Sequence, residues 1–232
     1  MDGRNAFAAA MDLILGLDPD FLEIVALSLK LALSSVLLSA VLGLPLGAWL
    51  ALARFPGRHA IVVLFNSLMG LPPVVAGLAV YVLLSRSGPL GRFGLLFTPA
   101  AMVLAQTVLI VPIVASLARQ TVEDLAAEYD EQLRSLGSSA MRAVPTLLWD
   151  GRFSLLTALL AGFGRATAEV GAILIVGGNI AHVTRTMTTA IALETSKGDL
   201  ALALGLGIVL ISLTLLLNAR AFLAGRLARR VG

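Results

Sequence analysis

Five stretches of this chain are apolar over the length that a lipid bilayer demands, and this limits the folds open to it more than any other feature. A hydrocarbon core about 30 Å thick, crossed at about 1.5 Å per residue, asks for about 20 apolar residues in each helical span. The composition points the same way: 58% of the 232 residues are hydrophobic and 13% are charged, where soluble domains carry about a quarter charged residues. Too little polar surface exists to keep such a chain in water. The expected fold class is an all-α integral membrane protein.

The spans are expected at about 21–53, 60–84, 98–117, 153–176 and 200–222, which together make a transmembrane domain over residues 19–225. Residues 1–18 stand apart, because the apolar run from Ala6 to Leu17 is too short to cross, contains Asp12 and is followed by Asp18-Pro19-Asp20. Lacking a basic leader, it reads as an interfacial amphipathic helix and not as a signal peptide. In the first span Lys30 sits near the start, where its stem can snorkel outward. The same span ends in Gly43-Leu44-Pro45-Leu46-Gly47, whose small residues four apart permit close helix contact in lipid.

Pro72-Pro73 interrupts the second span. Two prolines remove two backbone donors and strand carbonyls of the preceding turn; lipid cannot satisfy those groups, so the break should face protein or a watery path. Gln106 and Pro112 lie in the third span, Arg165 and Glu169 in the fourth, and Gly177-Gly178-Asn179 is expected to end the fourth helix on the outer side. Residues 119–152 form the one long polar stretch and hold Glu123, Asp124, Glu128, Asp130, Glu131 and Asp150.

Basic residues set the orientation. Arg54, Arg58, Arg119, Arg134, Arg142, Arg152 and the arginine-rich C-terminus fall on one side of the spans, which marks it as cytoplasmic. An odd number of spans then places the N-terminus outside and the C-terminus and the acidic stretch inside. Because these arginines sit at helix ends and do not line one face between aromatics, the net charge of +3 is a topology signal and not a nucleic-acid footprint.

Several chemistries are excluded. With no cysteine there is no disulfide, thiolate metal site or thiol nucleophile, and two histidines, His59 and His182, build no HExxH site. The only lysines, Lys30 and Lys197, close no GxxxxGK[ST] phosphate loop, so the chain does not bind ATP through one. An intramembrane enzyme would need a buried nucleophile with its base or a cluster of acids, and Glu169 is the one acid clearly inside a span.

Within the polar stretch, Glu131-Gln132-Leu133-Arg134-Ser135-Leu136-Gly137 places helix formers before a glycine suited to a left-handed C-terminal position. This segment resembles the EAA loop of ABC importer permeases, in which a Glu-Ala-Ala start precedes a glycine six residues on; Glu131 and Gly137 keep that spacing, while Gln132-Leu133 replaces the alanines and Trp149-Asp150 stands where many relatives have Leu-Pro. Leu71-Pro72-Pro73-Val74-Val75-Ala76-Gly77 is similar to the proline-centred second helix of sulfate, molybdate and tungstate permeases. Gly162-Phe163-Gly164-Arg165-Ala166, Glu169-Val170-Gly171-Ala172, Val176-Gly177-Gly178-Asn179-Ile180 and the run from Arg185 to Gly198 are similar to the tungstate branch.

The resemblance implies a homodimeric inner-membrane permease, joined to two cytoplasmic ATPase subunits that carry ATP and Mg, and fed by an extracytoplasmic binding protein. No cofactor is then expected on this chain. Glu131, Gln132, Leu133, Leu136 and Gly137 would couple to the ATPase. The expected cargo is an oxyanion, tungstate first, with molybdate and sulfate as alternatives; a stand-alone channel or secondary carrier is the rival outside the family.

Pathway or gate residues are expected among Pro72, Pro73, Arg165, Glu169, Gly177, Gly178, Asn179, Arg185, Thr188 and Thr189. Arg165 and Glu169 lie four apart on one helical face, where opposite charges neutralise each other in a medium that penalises either alone by several kcal/mol. Two readings are open for them: a pair that keeps the helix insertable, and a part of the path. Threonine hydroxyls at 184, 186, 188 and 189, with backbone amides, would line an anion route without net charge.

Overall fold

The computed structural model describes residues 3–135 and 141–231, with the backbone alone for residues 3–6, 134 and 220–231. All regular structure among the described residues is helical: α1 (Gly3–Leu15), α2 (Pro19–Leu52), α3 (Arg58–Leu68), α4 (Pro73–Leu84), α5 (Pro99–Glu128), α6 (Asp130–Ser135), α7 (Val144–Asp150), α8 (Arg152–Thr167), α9 (Gly171–Gly177), α10 (Met187–Lys197) and α11 (Leu200–Val231), with one 3₁₀ turn at Gly91–Phe93.

Three helices are long and apolar enough to cross a bilayer by themselves: α2, α5 and the Leu200–Ala219 part of α11. The pairs α3 with α4 and α8 with α9 qualify only when each is taken together across its break. Both breaks have a local chemical cause. Pro72 is extended and Pro73 opens α4 at a position where no N–H is needed, so the amides of Val75 and Ala76 turn back to the Pro72 carbonyl. At Ala168–Val170 the Glu169 side chain takes the Ala172 amide, which ends one helix and starts the next.

The third apolar run differs from the sequence expectation at its far end. Hydropathy ends the span near Leu117, yet α5 continues unbroken to Glu128. Arg119-Gln120-Thr121-Val122-Glu123-Asp124-Leu125-Ala126-Ala127-Glu128 contains no glycine or proline, so loss of apolarity does not end the helix.

The chain packs as two compact units. One holds Met1–Ser35, Pro72–Gln106 and Gly164–Arg220, and the other Val36–Leu71, Thr107–Phe163 and Ala221–Gly232. In the first unit Asp18 starts α2, its carboxylate accepting the Phe21 amide at 3.0 Å, and Phe21, Ile24, Met187, Ala190 and Leu206 form a core that Leu13 and Ile14 of α1 join. The α4 and α9 backbones meet at Gly77, where a Cβ would lie 2.6 Å from the Ala172 Cα. In the second unit Gly43 and Gly47 bring α2 onto α5: a Cβ at Gly43 would meet the Val114 side chain at 2.9 Å, and one at Gly47 would strike the Ala115 carbonyl. The small-residue spacing seen in the sequence is therefore the contact itself.

Candidate functional site

Of the expected pathway residues, Arg165, Glu169 and Thr188 meet at the α8–α9 break, in the first unit. Gln106 of α5 donates to the Ala166 carbonyl at 3.0 Å and accepts the Ser35 hydroxyl at 2.8 Å, so it gives a second donor to a carbonyl at the end of α8 that the Glu169 amide also reaches at 3.3 Å. Glu169 is 2% exposed; its Oε1 accepts the Ala172 amide at 2.9 Å and its carbonyl accepts the Thr188 hydroxyl at 2.7 Å. These four bonds tie α2, α5, α8, α9 and the start of α10 around the break.

One pair is left loose. Glu169 Oε2 is buried without a hydrogen bond, and the Arg165 guanidinium stands 3.7 Å from it, with 30% of the Arg165 side chain exposed. Among the described residues no acceptor lies within hydrogen-bonding distance of the Arg165 side chain. The break is thus tied by hydrogen bonds, one of them to the Glu169 carboxylate, while that carboxylate and Arg165 attract each other without a close contact.

The four threonines hold the backbone at the end of α9, at the break and at the start of α10. Thr184 is buried and donates to the Gly177 carbonyl at 2.6 Å, closing the turn after α9. Thr186 and Thr189 are buried and form a reciprocal capping box at the start of α10. Thr189, expected on the route, spends its hydroxyl within this cap; of the four threonines only Thr188 is half-exposed, and it holds Glu169. Gly178 closes α9 at φ 71° and Asn179 follows at φ 50°, its amide donating to the Thr189 carbonyl at 3.3 Å. Arg185 faces the buried Glu194 at 3.9 Å, and Lys197 reaches the same carboxylate at 3.0 Å.

In the second unit the acidic stretch builds a separate constellation. Glu123 accepts from both Arg58 and Arg119, and Arg58 also donates to the Leu50 and Ala51 carbonyls at 2.7 and 3.2 Å. Beside it opens a cleft of about 670 Å³, lined in part by Arg54, Arg58, Glu123, Asp130 and Leu133. On α6, Glu131 and Gln132 are exposed, whereas Leu133 turns inward onto Ala48, Val122, Ala143 and Leu147. Leu136 and Gly137 lie outside the described residues.

Comparison with known proteins decides the family. The chain is 40% identical over 202 residues to a probable anion ABC transporter permease of Haloferax volcanii, covering 85% of this chain and 87% of the relative. It is 35% identical over 215 residues to a tungstate uptake system permease of Peptoclostridium acidaminophilum, covering 93% and 94%. A molybdenum transport system permease of Haemophilus influenzae is 32% identical, over 71% of this chain and 76% of its own length. No family model matches the chain. The chain belongs to the ABC transporter permeases.

It is accordingly a transport subunit and not an enzyme, and a multi-pass inner-membrane protein. In this permease two roles escaped the sequence. Gln106 reads as a polar residue inside a span, with nothing to indicate that it caps a helix 60 positions away. His182 is exposed, and its Nδ1 lies 2.8 Å from Glu23 Oε2, joining the loop before α10 to the first turns of α2, a contact that the sequence does not indicate. The hydrogen bond to Glu23, then the charges of Glu23 and Asp20, raise the His182 pKa above its usual value, against the opposing charge of Arg185.

Proposed function

We propose that the permease is the membrane subunit of an ATP-driven importer for tungstate, working as a homodimer with two cytoplasmic ATPase subunits and an extracytoplasmic binding protein. The observation that carries this reading is likeness over nearly the full length to a tungstate uptake permease, 93% of this chain against 94% of that one. Five spans are proposed, with α3 and α4 forming one and α8 and α9 another, so that the N-terminus lies outside and the C-terminus in the cytoplasm. Residues 1–18 are the interfacial segment and residues 19–225 the transmembrane domain.

The cytoplasmic contact is assigned to α6 and the residues after it. Exposed Glu131 and Gln132 offer side chains to a docking partner, and the adjoining cleft is lined by charges of both signs. Leu133 supports that face from below by packing into the second unit, and Leu136 and Gly137 complete the segment in the proposal. Outside the membrane the binding protein selects the anion; the route through the bundle passes the broken helices at Pro72-Pro73 and at Arg165–Glu169, with Gly177, Gly178, Asn179, Arg185, Thr188 and Thr189 shaping its outer end.

Uptake into vesicles holding the permease, its ATPase and its binding protein tests the reading. ATP-dependent accumulation of tungstate is expected, and accumulation of molybdate or sulfate in its place would move the cargo while keeping the machine. Conductance by the permease alone would remove the ATPase from the mechanism. Glu131→Arg is expected to lower ATPase co-purification; intact assembly and uptake in that variant would take the coupling role away from α6.

A further inference from the structure

We infer that Arg165 is a transit contact for the oxyanion and that Glu169 keeps this contact weak. The inference rests on the proposed import of a tetrahedral oxyanion and adds how that anion is held and released. A guanidinium carries five N–H donors in a planar fork that suits two oxygens of a tetrahedral anion. On Arg165 that fork makes no hydrogen bond among the described residues, and the side chain as a whole is 30% exposed. An arginine inside a span is costly unless its donors meet a polar medium, so these donors mark the side of α8 from which water and anions reach it.

Glu169 supplies the opposing half. Its carboxylate cannot follow Arg165, because Oε1 is held by the Ala172 amide, the carbonyl is held by Thr188, and the group is buried. Oε2 therefore stays 3.7 Å from the guanidinium, close enough to cancel much of its field and too far to occupy its donors. An anion arriving at Arg165 meets free donors beside a fixed negative charge. It is held by hydrogen bonds and pushed onward by repulsion, which suits a route where binding must be favourable enough to enter and weak enough to leave.

The two halves predict opposite signs when removed. Glu169→Gln keeps an oxygen for the Ala172 amide and leaves Arg165 without its counter-charge, so the anion should be retained more strongly and released more slowly. Arg165→Gln disturbs no hydrogen bond and removes the contact. The probe is whichever of tungstate, molybdate and sulfate the parent complex imports with ATP, and assembly is followed by ATPase co-purification.

Retention of labelled anion by the permease–ATPase complex without binding protein should rise about tenfold in Glu169→Gln while uptake falls, and uptake should fall about tenfold in Arg165→Gln without added retention. Arg165→Lys should recover part of the uptake, as a cation without the planar fork. An assembled Arg165→Gln complex that imports within about twofold of the parent overturns the inference, as does Glu169→Gln retention no higher than the parent's. Failure of the parent to import any of the three anions overturns the cargo reading and this inference with it.

Discussion

Two of the acid–arginine constellations of this permease are built on different terms. In the second unit Glu123 serves two arginines, and Arg58 also spends its donors on two carbonyls at the end of α2. In the first unit Glu169 is nearly sealed from solvent, yet its one arginine stays beyond hydrogen-bond distance. The Arg58 donors, shared among three partners, hold elements together, whereas the Arg165 donors carry no hydrogen bond among the described residues. Arg58–Glu123–Arg119 holds helices together, and Arg165–Glu169 is the pair inferred to form the transit contact.

The firmest part of that contrast is the rigidity of the second unit. Gly47→Leu must push α2 off the α5 backbone, and a loss of about 3 kcal/mol or more is expected, read as a fall in thermal stability in detergent or as failure to accumulate in the membrane. A stable Gly47→Leu protein would mean that α2 and α5 do not touch there. A smaller loss, about 2 kcal/mol, is expected for Glu169→Ala, which removes the cap of α9 together with the partner of Arg165.

Glu123→Ala should cost about 1 kcal/mol, because both of its arginines are partly solvated and Arg58 keeps its two carbonyl contacts. Thermal unfolding of Glu169→Ala and Glu123→Ala side by side checks the ranking, and a reversed order would dissolve the distinction between the sites. The smallest effect belongs to His182. Its raised pKa means that the stabilising contact with Glu23 is fully present below the unfolded-state pKa and is lost as pH rises through the folded value. Titration followed by NMR should show the elevated pKa, and Glu23→Gln should bring it down; an unchanged midpoint in Glu23→Gln would separate the two residues.

Backbone chemistry was legible in the sequence wherever it is local. Pro72-Pro73 announces a break because proline lacks a donor, and Gly177-Gly178 announces an end because Gly178 takes a left-handed conformation. The expected placing of Arg165 and Glu169 on one helical face does not hold: α8 ends at Thr167, so Glu169 lies past the helix and still stands 3.7 Å from Arg165. The break inside the fourth apolar run was not legible, since a glutamate that bonds the amide three positions on leaves no mark in hydropathy. The continuation of α5 past Leu117 was missed for the converse reason: a polar sequence of good helix formers ends a span without ending a helix.

What the sequence determined alone is the medium and the segmentation, because transfer from water to hydrocarbon depends on side chains summed along a stretch, and helix interruption depends on one or two residues. What the tertiary structure decided is which side chains are committed to the fold. Gln106 on the Ala166 carbonyl, Leu133 on Ala48 and Val122, and Thr186 locked with Thr189 are committed to holding the fold, while the Arg165 donors are left free. A hydrogen bond acts over about 3 Å between atoms whose residues can be far apart in the chain, so availability appears only when the chain is folded.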